Sequence, residues 1–104
     1  MKADALNGQL APLILATIAE EPAHGYAIVQ RLEQRSGGAF ELAEGTVYPA
    51  LHRLERDGLL SSSWSLEGPR RRRVYQLTRA GRSTLGERRR EWGRFAKAVE
   101  MVLE

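Results

Sequence analysis

The fold is decided by the stretch from residue 44 to residue 60, which reads EGTVYPALHRLERDGLL. Its apolar residues recur with helical spacing and form one face: Val47, Ala50, Leu51 and Leu54. Aromatic and hydrogen-bonding side chains form the opposite face: Tyr48, His52, Arg53 and Arg56. We predict a helix over residues 46–57, with Thr46 or Glu44 near its N-cap, Pro49 in its first turn and Gly58 just past its end.

Two more helices are predicted before this one. The first carries apolar residues on two faces: Leu6, Leu10, Leu13, Ile14 and Thr17 on one, and Leu15 and Ile18 on the other. Asn7 could cap it, and we place its start near Gln9 because Pro12 is tolerable only in a first turn. Residues 20–22 end it. A helix that is apolar on two faces is central or contacts another subunit.

The second helix is predicted over residues 24–36. Its apolar stripe contains Tyr26, Leu32 and either Val29 or Ile28, and the run Ser36-Gly37-Gly38 ends it. We expect Tyr26, like Tyr75 further along the chain, to be a core aromatic with a polar tip.

A two-stranded hairpin and a last helix are predicted after residue 58. Residues 59–66 and 73–77 alternate in polarity, and Glu67-Gly68-Pro69 is a turn signal between them. A lone hairpin is marginal in water, so it must lean on the helices. Trp64 would then pack against the helices, or else be an exposed anchor.

The last helix is predicted to be capped by Thr78 and to run to about Leu103. Leu85, Trp92 and Val99 recur every seven residues, and Phe95 and Val102 supply a second position of the same stripe. At this chain length the core is small, so pairing of the stripe with another subunit would add stability.

Positive charge is concentrated in one part of the chain. The 104 residues carry a net charge of +3, whereas residues 68–94 alone hold ten arginines against two glutamates. Four adjacent arginines, Arg70 to Arg73, suit DNA phosphates or a narrow minor groove. The alternative is a solvated loop that charge keeps soluble.

Several function classes lack supporting residues. The chain has no cysteine, which excludes disulfides and thiolate metal sites. Neither His24, read as a capping or packing residue, nor His52, on the outward helix face, has the partners of a metal or catalytic site. We therefore predict no enzyme, metal or cofactor. Without an apolar run of signal-peptide or membrane-spanning type, we expect a soluble, cytoplasmic protein with no membrane partner.

Three helices followed by a hairpin is the element order of a winged helix-turn-helix, a mainly α fold with a small β-hairpin. In that fold the third helix enters the major groove and the hairpin, or wing, touches the flanking backbone. We expect a DNA-binding unit over residues 1–78 and a dimerisation helix over residues 79–104, together forming one compact structure.

Three segments resemble the PadR family of transcriptional regulators: PAHGY at residues 22–26, the stretch 44–60, and RVYQLTRAG at residues 73–81. A single helix after the wing resembles the compact branch of that family. One departure is Val74-Tyr75 in the second wing strand, where the family often has two tyrosines.

The resemblance implies a homodimeric repressor that binds double-stranded operator DNA. DNA contacts would come from the third helix and the wing: Thr46, Tyr48, Pro49, His52, Arg53, Gly68, Arg70, Arg71, Arg72 and Arg73. Dimer contacts would come from the first and last helices: Leu6, Leu10, Leu13, Leu85, Trp92, Phe95, Val99 and Val102. The alternative is a winged-helix module that binds RNA or a protein without operator specificity.

The resemblance also implies an effector site. In multidrug-binding members of the compact branch, paired tryptophans of the last helix stack planar aromatic drugs. Carried over to this chain, the site would comprise Leu6, Leu10, Trp92 and Phe95. Arg88, Arg89 and Arg90 nearby would repel cationic drugs or favour anionic aromatics. Trp92 could equally be plain dimer core.

Overall fold

A computed structural model describes residues 8–66 and 68–104 and confirms the winged helix-turn-helix. Its elements are α1 (Leu10–Glu20), β1 (Ala23–His24), α2 (Gly25–Arg35), α3 (Glu44–Arg56), β2 (Leu60–Ser65), β3 (Arg72–Leu77) and α4 (Arg79–Leu103). Leu6 and Asn7, to which we assigned dimer, effector and capping roles, lie outside the described residues. Among the described residues, none of the helices combines the length and the hydropathy that a membrane span requires.

Helix α3 begins earlier than predicted. Its N-cap is Ala43, which has no capping side chain, and the Ala43 carbonyl accepts from the N–H groups of Thr46 and Val47 at 3.0 and 3.2 Å. Glu44 is thus the first helical residue, where its charge favours the positive end of the helix dipole. Pro49 consequently lies inside α3 rather than in its first turn, and it has no N–H to donate to the Gly45 carbonyl. Of the two residues predicted near the N-cap, Glu44 lies next to it, whereas the prediction that Pro49 lies in the first turn was wrong.

The sheet has three antiparallel strands in the order β1-β3-β2, so the predicted two-stranded hairpin was one strand short. Strand β1 pairs Ala23 with Tyr75 and His24 with Val74. Two residues are too few to show an alternating pattern, which is why the sequence does not reveal this strand. The base of the wing is therefore joined to the start of α2.

The core lies between the helices and the inner face of the sheet. Helix α1 contacts α2, α3, β3 and α4, as its two apolar faces predict. Tyr75 is 1% exposed and is the core aromatic we predicted, but Tyr26 is 52% exposed and the same prediction for it was wrong. Ile28 is fully buried, and residues two apart on a helix do not share a face, so Tyr26 points away from the core.

The start of α4 is fastened to the turn that ends α3. The Thr78 hydroxyl accepts from the Gly81 N–H at 3.0 Å and donates to the Gly58 carbonyl at 2.6 Å. The Thr78 N–H donates to the Leu59 carbonyl at 3.2 Å. A side chain at Gly81 would overlap that same carbonyl oxygen. The close contact between α4 and this turn therefore requires glycine at residue 81.

Two alanine substitutions in α4 should have opposite effects on stability. We expect Gly81→Ala to lower the free energy of unfolding by about 3 kcal/mol, because its methyl group would overlap backbone that cannot move aside easily. Gly93 has open space around its Cβ position. Gly93→Ala should raise stability by about 0.5–1 kcal/mol through helix propensity alone. Urea unfolding of both variants measures these changes in the free energy of unfolding. Equal effects of the two substitutions would contradict the close approach of Gly81 to the Leu59 carbonyl.

Candidate nucleic-acid interface

Helix α3 presents a mixed polar and aromatic face. Pro49, His52 and Arg53 are exposed on it, whereas Thr46 and Tyr48 are half-buried. A Cβ at Gly25 would come within 2.5 Å of the Tyr48 ring, so glycine at the start of α2 allows the phenol to pack there. Tyr48 thus has a packing role besides the DNA contact that we predicted for it.

The wing carries its arginines in two settings. Arg72 and Arg73 belong to β3 and lie opposite Ser65 and Trp64. Arg70 and Arg71 precede the strand and lie at the tip, after Gly68, whose φ of +79° favours glycine. All four arginines are exposed. Strand β3 thus begins one residue earlier than the predicted 73–77, and only Arg70 and Arg71 lie outside it.

Trp64 lies among the wing arginines rather than against the helices, so our packing prediction was wrong. Its side chain is 52% exposed. The guanidinium groups of Arg71 and Arg73 lie 4.7 and 5.3 Å from the ring centroid. Trp64 is the fifth of the six residues of β2, and its cross-strand partner is Arg73. Both arginines that lie over the ring therefore belong to the wing.

Glu55 connects the wing to α3. Its Oε2 atom lies 3.6 Å from Nη2 of Arg73 and also accepts from the Ser62 hydroxyl. The sequence pattern places Glu55 beside Arg56 and His52 on the helix surface and gives no sign of this role. The pairing becomes visible only once the strand register is known. These contacts hold the middle and outer part of the wing strands beside the candidate recognition helix.

His24 joins the other side of the wing to α2. Its Nδ1 atom accepts from the Ala27 N–H at 3.3 Å, which confirms the capping role predicted for it. Its Nε2 atom lies 3.0 Å from Nη1 of Arg72. A neutral imidazole has one acceptor nitrogen, so it satisfies either the cap or Arg72 at a given moment. Burial, and then the charges of Arg72 and Arg31, lower the pKa of His24 from its usual 6.5.

This lowered pKa predicts a loss of stability in mild acid. Below pH 6.5 the unfolded chain takes up a proton at His24 before the folded chain does, so the free energy of unfolding falls as pH drops. His24→Asn keeps a capping oxygen but cannot titrate there. Urea unfolding at about pH 7.5 and about pH 5.5 compares the two proteins. Between these two pH values the variant should lose less free energy of unfolding than the wild type. Equal losses would show that His24 is not the group responsible.

An apolar groove of about 620 Å³ lies between α1 and α4. Its lining includes Leu13, Phe40, Leu85, Trp92 and Phe95, with Arg88, Arg89 and Glu91 also present. The Trp92 and Phe95 ring centroids are 5.5 Å apart, and the rings are tilted by 40°. The structure thus brings together two of the four predicted effector residues. Leu13 rather than Leu10 lines the groove beside them, and Leu6 lies outside the described residues.

The predicted dimer stripe is exposed over most of its length. Trp92 is 54% exposed, and Phe95 and Val102 are also exposed, while Val99 is half-buried. Leu10 and Leu13 of α1 are half-buried. Leu85 is only 4% exposed because it lies in the core of its own chain, which leaves little of it for a partner.

Comparison with known proteins identifies the family. The model of the transcriptional regulator PadR-like family matches residues 14–87. The chain belongs to this family. It is 42% identical over 86 residues to the transcriptional regulator Rv3488 of Mycobacterium tuberculosis, a match that covers 83% of this chain and 78% of that protein.

Two solved structures extend this likeness to the fold. A PadR family transcriptional regulator from Eggerthella lenta superposes with a TM-score of 0.84 at 34% identity, covering 97% of this chain and 87% of that one. A transcriptional regulator from Clostridium thermocellum superposes with a TM-score of 0.88 at 25% identity, covering 98% and 100% of the two chains. The PadR-like protein is accordingly a DNA-binding regulator and not an enzyme.

Proposed function

We propose that this PadR-like regulator is a cytoplasmic homodimeric repressor of transcription. Its two α3 helices would read half-sites on double-stranded DNA about one helical turn, or about 34–36 Å, apart. The observation that carries this proposal is the exposed polar face of α3 beside a wing with four exposed arginines, with Glu55 joining the two.

Helix α3 and the wing would make different kinds of contact with the DNA. Residues 46–53 of α3 would contact bases and the nearby backbone in the major groove, through Thr46, Tyr48, Pro49, His52 and Arg53. The wing, from Gly68 to Arg73, would lie along the flanking phosphates. Such contacts release counterions and supply affinity that does not depend on sequence.

Dimerisation would use α1 and α4. The exposed aromatic and aliphatic residues of α4 give an apolar surface that a second copy would bury. Residues 79–104 would thus act as the dimerisation helix and residues 1–78 as the DNA-binding unit. Because α4 is fastened to the end of α3, the dimer contact would also set the distance between the two recognition helices.

The wing predicts a specific change in salt dependence. Replacing Arg70 and Arg71 with alanine should weaken binding to every duplex. It should reduce the magnitude of the dimer's salt slope by about 3.6, since each of the two wings loses two phosphate contacts and each lost contact removes about 0.9. The matched control replaces Arg79 and Arg82, two exposed arginines of α4, and should leave the slope unchanged. Fluorescence anisotropy at several salt concentrations measures both. An unchanged slope in the wing variant would show that Arg70 and Arg71 do not contact DNA phosphates.

Operator specificity is tested by competition at one fixed salt concentration. The protein should bind the DNA upstream of its own coding sequence at least about a thousandfold more tightly than random duplex. Equal affinity would contradict the repressor proposal and would leave the alternative of a winged-helix module that binds RNA or a protein.

We also propose that the groove between α1 and α4 takes a planar aromatic effector that stacks on Trp92. Arg88 and Arg89 outnumber Glu91 there, which favours an anionic aromatic ligand over a cationic drug. Binding would release DNA if the liganded dimer held its recognition helices at a different distance.

Fluorescence tests the effector site directly. Trp92 is one of two tryptophans, so a bound planar aromatic should quench the emission by about half. Trp92→Phe should abolish this quenching, and Trp64→Phe is the control that should preserve it. If a panel containing both anionic and cationic aromatics produces no quenching, Trp92 has only a dimer packing role.

A further inference from the structure

The wing contains an arrangement that the proposed DNA contacts do not require. The guanidinium groups of Arg71 and Arg73 both lie over the same side chain, the exposed indole of Trp64, at 4.7 and 5.3 Å from the ring centroid. Of these two, Arg73 is also paired with Glu55 of α3. The chain of contacts therefore runs from α3 through Glu55, Arg73 and Trp64 to Arg71 at the wing tip.

This arrangement counters two difficulties of a cationic wing. Like charges on neighbouring arginines repel, and the negative face of an indole attracts each guanidinium in compensation. Long arginine side chains also lose rotamer freedom when they bind a phosphate. Side chains that are already held on a ring before DNA arrives lose less of that freedom on binding, so their contacts are stronger.

We propose that Trp64 is a positioning residue that holds Arg71 and Arg73 in fixed orientations relative to α3, so that wing and recognition helix meet DNA as one rigid surface. This inference rests on the proposed DNA-binding function and adds to it a residue that itself need not touch DNA. The aromatic face of Trp64, rather than its bulk, is the property that matters.

The experiment compares Trp64→Phe with Trp64→Leu. Phenylalanine keeps an aromatic face, while leucine keeps apolar bulk without one. Because Trp64 is half exposed, both variants should fold, and thermal unfolding checks this. For the same duplex at one salt concentration, Trp64→Phe should bind within about threefold of the wild type, and Trp64→Leu about tenfold more weakly.

A second readout on the free protein does not depend on DNA. In the wild type and in Trp64→Phe, the side-chain proton resonances of Arg71 and Arg73 should be shifted upfield by the ring current. In Trp64→Leu these shifts should disappear. If the wild type showed no such upfield shifts, Arg71 and Arg73 would not be held over the Trp64 ring in solution, and the proposal would fail.

The outcomes separate this inference from the function on which it rests. A wild-type protein that binds no duplex overturns the proposed function and the DNA role of Trp64 together. A protein that binds DNA but tolerates Trp64→Leu as well as Trp64→Phe overturns only the positioning role, because bulk alone would then suffice.

Discussion

The structure depends on the joint between the end of α3 and the start of α4. Gly58 lies in the left-handed region, and the N–H groups of Gly58 and Leu59 close α3 on the carbonyls of Glu55 and Leu54 at 3.0 and 2.9 Å. Thr78 then binds the carbonyls of Gly58 and Leu59, and bare Gly81 lets α4 approach. The proposed recognition helix, the base of the wing and the proposed dimerisation helix are therefore joined at one point.

Sequence patterns predict the elements around this joint well because the relevant signals are local. The glycine after α3, the Thr78 cap and the helical spacing of Val47, Leu51 and Leu54 each act within a few residues, and the structure confirms them. Strand β1 and the wing environment of Trp64 depend on strand register, which joins residues about fifty positions apart in one case and nine in the other. A pattern confined to one segment cannot show such partners.

The arginines between residues 68 and 94 fall into two groups, one on the wing and one on α4. Their concentration between residues 68 and 94 is visible in the sequence, and the predicted hairpin and last helix already divide it between the wing and α4, as the structure confirms. Arg72 and Arg73 are held by His24 and Glu55 on opposite sides of the wing, whereas Arg70 extends at its tip. The remaining arginines of this region lie on α4. Net charge alone would have treated all of them as one nucleic-acid surface.

In the proposed complex, two copies of α3 lie in successive major grooves of the DNA, with a wing on each side. Hydroxyl-radical footprinting on the upstream DNA tests this arrangement. We expect two protected clusters related by a two-fold axis, centred about 10 base pairs apart, with flanking protection from the wings. A single cluster without a symmetry-related partner, or uniform weak protection along the duplex, would contradict it.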